Sequence, residues 1–178
     1  AEYTCQRTPL PITIDGNLDK KIWQQAKRTP CFAGMQDGKP ALFNTQAALL
    51  WDDAQVYAAF WLDESDIWST QQERIGLDWQ ENAVEIYIAA HGAYYHLAVN
   101  PMNQTSELFV IFKDSYARGG RYDVPEFDLA THKPSVHGGD GGPHHIRGMR
   151  WAFYPWPFPG LQTAVRLDGT LKQRNDID

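Results

Sequence analysis

Six short segments of this chain alternate apolar and polar side chains, and this alternation limits the fold more than any other feature of the sequence. Alternation with a period of two is typical of β-strands that bury one face. Most of these segments are followed by short runs rich in Asp, Asn, Gly or Pro, which favour turns. Strands joined by such turns pair antiparallel. The predicted strands are residues 45–51, 56–62, 83–89, 94–100, 107–112 and 161–167.

Two parts of the chain do not follow this strand alternation throughout: the N-terminal residues before 45, and residues 114–160. Near the N-terminus we predict a short strand at residues 12–14 and then a short helix. The helix is predicted because four apolar residues recur at helical spacing. They are Leu18, Ile22, Trp23 and Ala26. Further on, residues 114–160 hold many of the Gly and Pro residues, and we predict one long loop there.

These patterns predict an all-β fold: an antiparallel, jelly-roll-like β-sandwich with one short N-terminal helix and the long loop at about 114–160. A length of 178 residues suits a single domain over residues 1–178. The net charge of -6 and the pI near 5.4 argue against a nucleic-acid partner. No apolar run approaches about 18 residues, so no membrane insertion is predicted.

The two cysteines, Cys5 and Cys31, are predicted to form one disulfide. The chain begins Ala-Glu-Tyr, which fits a mature end left by a signal peptidase, or the edge of a fragment. We therefore expect a secreted protein, extracellular or periplasmic, since disulfides persist in those compartments. A disulfide between Cys5 and Cys31 would close the loop of chain between them and stabilise the fold by about 3–4 kcal/mol in the chain-entropy model. Two unrelated buried thiols are the alternative.

A tryptophan and a carboxylate lie close together in the sequence at the start of one predicted strand. Trp79 lies in a polar turn, and the strand after it places Glu85 and Tyr87 on the side opposite three apolar residues. Those three are Val84, Ile86 and Ile88. A flat ring and an acceptor for hydroxyl groups are what a sugar requires. The alternatives are that Trp79 covers the edge of the sandwich and that Glu85 is a solvated carboxylate.

Several segments, read in order, resemble the family-9 carbohydrate-binding module and its single-domain relatives. Their order and spacing extend over nearly the whole chain. The segments are 12–19 followed by Trp23 and Ala26, 50–53, Trp79 with 84–88, 94–101, and 165–171.

This resemblance implies an exported β-sandwich that binds sugars, for example at the chain ends of glucan or xylan, without catalysis. Trp79 matches a ring that stacks on a terminal sugar, and Glu85 matches a polar contact to sugar hydroxyls. We add His96 as a further hydrogen-bonding residue, because it lies on the face opposite Leu97. Relatives continue with more strands and a second stacking ring, so this chain is expected to lack its C-terminal strands.

The family resemblance also makes calcium and haem possible cofactors. No cofactor is required for sugar binding, but members often carry structural calcium. The side chains of Asp63, Glu64 and Asp66 are possible oxygen ligands, and an acidic surface loop is the alternative. Related sandwiches bind haem, for which His96 with Met102 or Met149 is the ligand pair to consider. No other metal site is predicted, since the His-rich stretch lies in a Gly-rich loop.

An aromatic run near the C-terminus provides the alternative function. Its rings are predicted either to pack onto the core or to dock an extracellular protein partner, which would make the chain an accessory subunit. They are Trp151, Tyr154, Trp156 and Phe158. An enzyme is not predicted: Glu81 and Glu85 stand about 13 Å apart on a strand, and glycosidase carboxylates lie about 5–9.5 Å apart.

Overall fold

The computed structural model describes residues 2–70, 81–138 and 148–171. These residues confirm the predicted all-β class, with two sheets of three and five strands. The strands are β1 (Gln6–Arg7), β2 (Thr45–Trp51), β3 (Val56–Leu62), β4 (Val84–Ala90), β5 (Ala93–Val99), β6 (Thr105–Phe112), β7 (Ser135–His137) and β8 (Arg150–Phe153). The helices are α1 (Lys21–Gln25) and α2 (Leu129–His132), with 3₁₀ turns at Lys113–Ser115 and Pro125–Phe127.

The chain divides into two compact units. The first comprises Ala1–Ser69 together with Gln162–Asp178, and the second comprises Thr70–Leu161. The three-stranded sheet belongs to the first unit and the five-stranded sheet to the second. Among the residues with described structure, no helix combines the length and apolarity needed to span a membrane.

The three-stranded sheet has the order β1-β2-β3. Its hairpin matches the predicted strands 45–51 and 56–62 residue for residue, with Thr45 opposite Leu62. The carboxylate of Asp52 holds the turn, since it accepts the backbone N–H of Ala54 and the Tyr57 hydroxyl. These hydrogen bonds, with the Tyr57 hydroxyl foremost, lower the pKa of Asp52.

The predicted N-terminal helix is confirmed as α1, and it is held by burial rather than by length. A helix of five residues is too short to be stable alone. Its Trp23 is buried in the core of the first unit and meets Trp61 edge to face at 6.5 Å between ring centroids. Removing such a buried ring typically costs about 3–5 kcal/mol.

The five-stranded sheet has the order β4-β5-β6-β8-β7, and each neighbouring pair is antiparallel. The β4–β5 hairpin turns on His91 and Gly92, both in the left-handed region with φ of 53° and 73°. A two-residue turn of this kind matches the twist of the strands. Glycine is required at Gly92 also by space, because a Cβ there would lie 1.7 Å from Ser115 Oγ.

The prediction of one long loop at 114–160 is wrong. That segment contributes β7, β8, α2 and a 3₁₀ turn, and it supplies much of the second unit's core. Tyr122 and Phe127 pack with Ile111 and Phe153 of the sheet. These helices and strands are only three or four residues long and are separated by glycines and prolines. They therefore show no recognisable periodicity in the sequence.

Two further predicted strands are not formed. Residues 12–14 and 161–167 belong to no strand, and β1 lies earlier in the chain than the expected N-terminal strand. Side-chain hydrogen bonds contact both segments instead. Lys20 Nζ donates to the carbonyl of Thr13 at 2.8 Å, and the guanidinium of Arg166 donates to Asn17 and Asp19 at 3.3 and 2.9 Å.

The predicted disulfide is not formed, since Cys5 and Cys31 are both free thiols. Both cysteines lie along the same edge of β2. Cys5 directly precedes β1, which pairs with Leu50, whereas Phe32 donates to the carbonyl of Thr45 at the other end. The two are therefore roughly 10 Å apart along the strand. A disulfide requires Cα atoms within about 7 Å.

Candidate functional site

Two of the three predicted carbohydrate-binding residues come together on the five-stranded sheet. Glu85 and Tyr87 lie on β4 and His96 lies on β5, where it pairs directly with Tyr87. Because side chains alternate between faces, these three residues share one face. We call them the Tyr87 cluster. The third predicted residue, Trp79, lies outside the described residues.

The side chains of the Tyr87 cluster hold one another in place. The Tyr87 ring stacks on the His96 imidazole, with centroids 4.4 Å apart and planes 11° apart. The Tyr87 hydroxyl donates a hydrogen bond to Glu85 Oε2. The ring therefore has a support beneath it and a hydrogen bond at its tip, which limits its rotation.

His96 lies beneath this arrangement rather than at its surface. Its side chain is 15% exposed, and its Nε2 lies 3.3 Å from Glu85 Oε2. That contact is an ion pair only when His96 is protonated, and it is not a hydrogen bond. Nε2 is consequently a buried nitrogen with no hydrogen-bond partner among the described residues. We expect His96 to support the Tyr87 ring.

Tyr87 and Glu85 present an aromatic ring and a carboxylate to solvent together. Tyr87 is 58% exposed and the Glu85 side chain is 45% exposed. The ring row continues across the sheet through Tyr94, 5.8 Å from Tyr87, and Phe112, 5.9 Å from Tyr94. Such a surface offers apolar area for C–H groups and an acceptor for hydroxyl groups.

Tyr87 is not among the site residues predicted from the sequence, although a local signal for it is present. Strand alternation already placed Tyr87 on the side of Glu85. The missing information was the cross-strand partner, because a stack on His96 requires the register of two strands. That register becomes known only once the two-residue turn at 91–92 is fixed.

The opposite face of the same sheet carries a second pair of tyrosine and glutamate. Glu107 is 2% exposed, and its Oε2 accepts the Tyr95 hydroxyl at 2.9 Å and the Phe158 N–H at 2.6 Å. Its backbone carbonyl accepts the Trp156 N–H at 3.0 Å. Sequence reasoning missed this residue. Glu107 therefore ties the segment after β8 to the sheet.

The four rings proposed for partner docking divide into two kinds. Trp151 and Trp156 are partly buried and pack against the core of the second unit, Trp156 lying 5.1 Å from Phe127. Tyr154 and Phe158 keep more exposure, and Phe158 lies 4.8 Å from Tyr95. The expectation that this run packs onto the core holds for the two tryptophans. Docking of a partner stays a prediction.

The residues considered for calcium form hydrogen bonds with their neighbours. Asp63 accepts from the Asn44 side chain, and Glu64 accepts the N–H of Asp66, both at 3.0 Å. Across residues 2–70, 81–138 and 148–171, no three His, Cys, Asp or Glu side chains gather as metal ligands. Asp63 is exposed, whereas Glu64 and Asp66 are partly buried, and Asp66 Oδ1 is a buried oxygen with no hydrogen-bond partner among the described residues. Calcium therefore stays a prediction.

The geometry at His96 does not fit haem ligation. An iron bound at Nε2 would need the space beside that atom, and the Glu85 carboxylate borders it at 3.3 Å. The Tyr87 ring covers one face of the imidazole. Met102 lies in the turn after β5 and Met149 directly precedes β8, so neither belongs to the Tyr87 cluster.

A family model described as "Carbohydrate family 9 binding domain-like" matches residues 14–107, just over half of the chain. The matched stretch contains the whole Tyr87 cluster and ends at Glu107. It does not include the later segment that covers the opposite face of the sheet. No curated protein and no solved structure matches the chain.

Proposed function

The chain belongs to the carbohydrate family 9 binding domain-like family, and we propose that Tyr87 and Glu85 are its contacts to a sugar. Membership supports carbohydrate binding in general. In the proposed mode, C–H groups of a pyranose ring stack on Tyr87, and the Glu85 carboxylate accepts hydrogen bonds from ring hydroxyls.

The observation that carries this proposal is the fixed geometry of an exposed aromatic ring. An exposed tyrosine normally loses side-chain entropy when a ligand orders it. Here the stack on His96 and the hydrogen bond to Glu85 order the Tyr87 ring in advance. Less ordering is then left for the sugar to impose, which favours affinity from a small contact area.

Trp79 enters the proposal as a second stacking ring, on the grounds of the sequence. It precedes Glu85 by six residues. Glu81, two residues after Trp79 in the sequence, is held in place because its carboxylate accepts the backbone N–H of Thr70 at 2.9 Å. A sugar held between two rings would have both faces covered, which suits the end of a glucan or xylan chain.

We also propose that binding is not accompanied by catalysis. Glycoside hydrolysis requires two carboxylates flanking one bond. Glu81, the acid preceding Glu85 in sequence, accepts both the N–H and the hydroxyl of Thr70. Its engagement with Thr70 supports a structural role. Incubation with xylan and β-glucan, followed by measurement of reducing ends, tests this: release of sugar would contradict it.

Isothermal titration calorimetry with cello- and xylo-oligosaccharides tests the binding mode. We expect Tyr87→Ala to weaken affinity by about tenfold, because the main stacking surface is lost. Phe158→Ala is the matched control, since Phe158 is an aromatic residue of similar exposure, 47%, and packs over Tyr95 on the opposite face. We expect this control to bind within about twofold of the wild type.

Two results would contradict the proposed mode. One is equal affinity of the wild type and Tyr87→Ala, which would place the sugar elsewhere. The other is absence of binding in both, which would remove these sugars as ligands. The predicted export stays a separate prediction, and fractionation of cells that express the natural gene tests it.

A further inference from the structure

A cavity of about 380 Å³ lies in the second unit, at the end of the sheet where β4 turns into β5. Its walls are mainly aromatic and aliphatic, with two basic side chains among them. The lining residues are Ile88, Ala90, His91, Ala93, Tyr94, Tyr95, Phe109, Arg121, Tyr122 and Phe127. The volume lies within the range of about 300–1,000 Å³ typical of small-molecule sites.

Most of this cavity lies on the face of the sheet opposite the Tyr87 cluster, and Tyr94, whose ring centroid is 5.8 Å from that of Tyr87, also lines it. Ala93, Tyr95 and Phe109 lie on the opposite face of the sheet from Glu85 and His96, as strand alternation requires. The other wall comes from residues 121–127, which lie beyond the stretch that the family model matches. The cavity is therefore built partly from a segment of this chain outside the family match.

Its walls are fixed by contacts independent of any ligand. Tyr122 is buried, and its hydroxyl donates to the His91 carbonyl at 3.2 Å, which joins residues 121–127 to the β4–β5 turn. Phe127 stacks on Phe109 with centroids 5.2 Å apart. The cavity is consequently preformed, which reduces the ordering that a ligand must impose.

The polar groups around the cavity indicate the charge of its ligand. Among the described residues, the side chains of His91 and Arg121 have no ion-pair partner, and no carboxylate lines the cavity. The nearby Asp123 accepts the Gly119 N–H at 2.6 Å. An unpaired guanidinium beside an apolar cavity favours an anion, above all a planar carboxylate.

The remaining lining indicates that the body of the ligand is apolar. The hydroxyl of Tyr95 is engaged by Glu107, and that of Tyr122 by the His91 carbonyl. A polyhydroxylated ring would leave most of its hydroxyl groups without partners against these walls, at a cost in free energy. We propose that the cavity binds a small aromatic carboxylate, with its ring against the wall formed by Ile88, Tyr95 and Phe109 and its carboxylate on Arg121.

Calorimetry with 2-naphthoate tests the proposal. We expect saturable one-to-one binding, weakened about tenfold by Arg121→Gln because a charge-assisted hydrogen bond is lost. Arg118→Gln is the matched control, as another exposed arginine of the same segment outside the cavity lining, and should bind within about twofold of wild type. Ala90→Phe fills the cavity from an exposed strand position and should abolish binding. Near-ultraviolet circular dichroism confirms the fold of each variant.

Two ligand comparisons complete the test. The neutral 2-naphthamide should bind wild type as weakly as 2-naphthoate binds Arg121→Gln. Absence of saturable 2-naphthoate binding to wild type overturns the proposal. So does unchanged affinity in Arg121→Gln or Ala90→Phe. Glucuronate binding with the same dependence on Arg121 would assign the cavity to acidic sugars instead, and equally overturns it.

Discussion

The two faces of the five-stranded sheet carry the same pair of residue types, a tyrosine and a glutamate, in different surroundings. On one face, Tyr95 donates to Glu107, and both residues are buried. On the other face, Tyr87 donates to Glu85, and both remain largely exposed. The chemistry of the two pairs is the same. What differs is the cover: the buried pair lies beneath the segment after β8, whereas the exposed pair is open to solvent and is the sugar contact that we propose.

The glutamate of the buried pair accepts several hydrogen bonds within the protein, whereas the glutamate of the exposed pair keeps hydrogen-bond acceptor capacity for solvent or a ligand. Glu107 also accepts from Phe158 and Thr105, so its carboxylate bonds within the protein. A polar group buried in this way is tolerated because it is hydrogen-bonded. Glu85 meets Tyr87 and His96 at Oε2, and nearly half of its side chain surface faces solvent. Mutations at matched positions on the two faces therefore separate stability from binding.

The largest effect is expected from Glu107→Ala. It leaves the Tyr95 hydroxyl and the Phe158 N–H without their acceptor, which lowers the free energy of unfolding by about 2–4 kcal/mol. Urea unfolding followed by tryptophan fluorescence measures this. Glu85→Ala on the other face should change stability by less than about 0.5 kcal/mol. Similar losses in both variants would contradict the distinction between the faces.

The next effect is expected from Tyr95→Phe, which removes one hydroxyl from the buried network. Stability should fall by about 1–2 kcal/mol, because a buried carboxylate oxygen loses its donor. Oligosaccharide affinity should stay within about twofold of wild type. Thermal unfolding and calorimetry on the same samples check both statements. A drop in sugar affinity larger than the drop in stability would show that the buried face reaches the ligand.

Tyr87→Phe is the corresponding change on the exposed face and should have a smaller effect. The ring and its stack on His96 remain, but Glu85 loses the hydroxyl that orients it. We expect affinity to fall by about threefold, which corresponds to less than 1 kcal/mol. Thermal stability should not change. If Tyr87→Phe lowered the melting temperature as much as Tyr95→Phe does, the exposed pair would also be structural.

The smallest effect concerns pH and the segment that covers the buried face. Asp128 caps α2, and hydrogen bonds from the Thr131 hydroxyl and N–H lower its pKa below the ordinary 3.8. A lowered folded pKa means that the stabilising contribution is present above pH 3.8 and is lost as pH falls through the folded value. The stability difference between wild type and Asp128→Ala should therefore be constant near neutrality and shrink in acid. A difference that grows in acid would contradict this.

Sequence reasoning was most reliable where one face of a strand is buried and the turn is short. The hairpin of β2 and β3 was predicted at its observed bounds, because alternation and the Asp52 turn agree. Prediction from strand alternation fails at residues 114–160, because the strands there are only three and four residues long and the alternation cannot be recognised. Their positions depend on aromatic contacts such as Phe127 with Trp156, which are long-range and leave no local pattern.

For the candidate site, the sequence located the strand and one of its contacts but not the arrangement. Glu85 was predicted from its strand parity and family position, and it is exposed as that role requires. His96 was predicted as a surface contact, yet its Nε2 is buried and its ring supports Tyr87. Side-chain packing across two strands decides which of Tyr87 and His96 is exposed to solvent. Strand alternation predicts the face on which both residues lie, but not which of them covers the other.

The most direct test of the account is a titration of the isotope-labelled protein with cello- or xylo-oligosaccharides, followed by amide chemical shifts in NMR. The exposed pair is predicted to be the ligand contact, so the largest shifts should fall on β4 and β5 around Glu85, Tyr87 and His96. Amides of Glu107 and Phe158 should move little. Shifts confined to those buried-face residues, with β4 and β5 unchanged, would contradict the account.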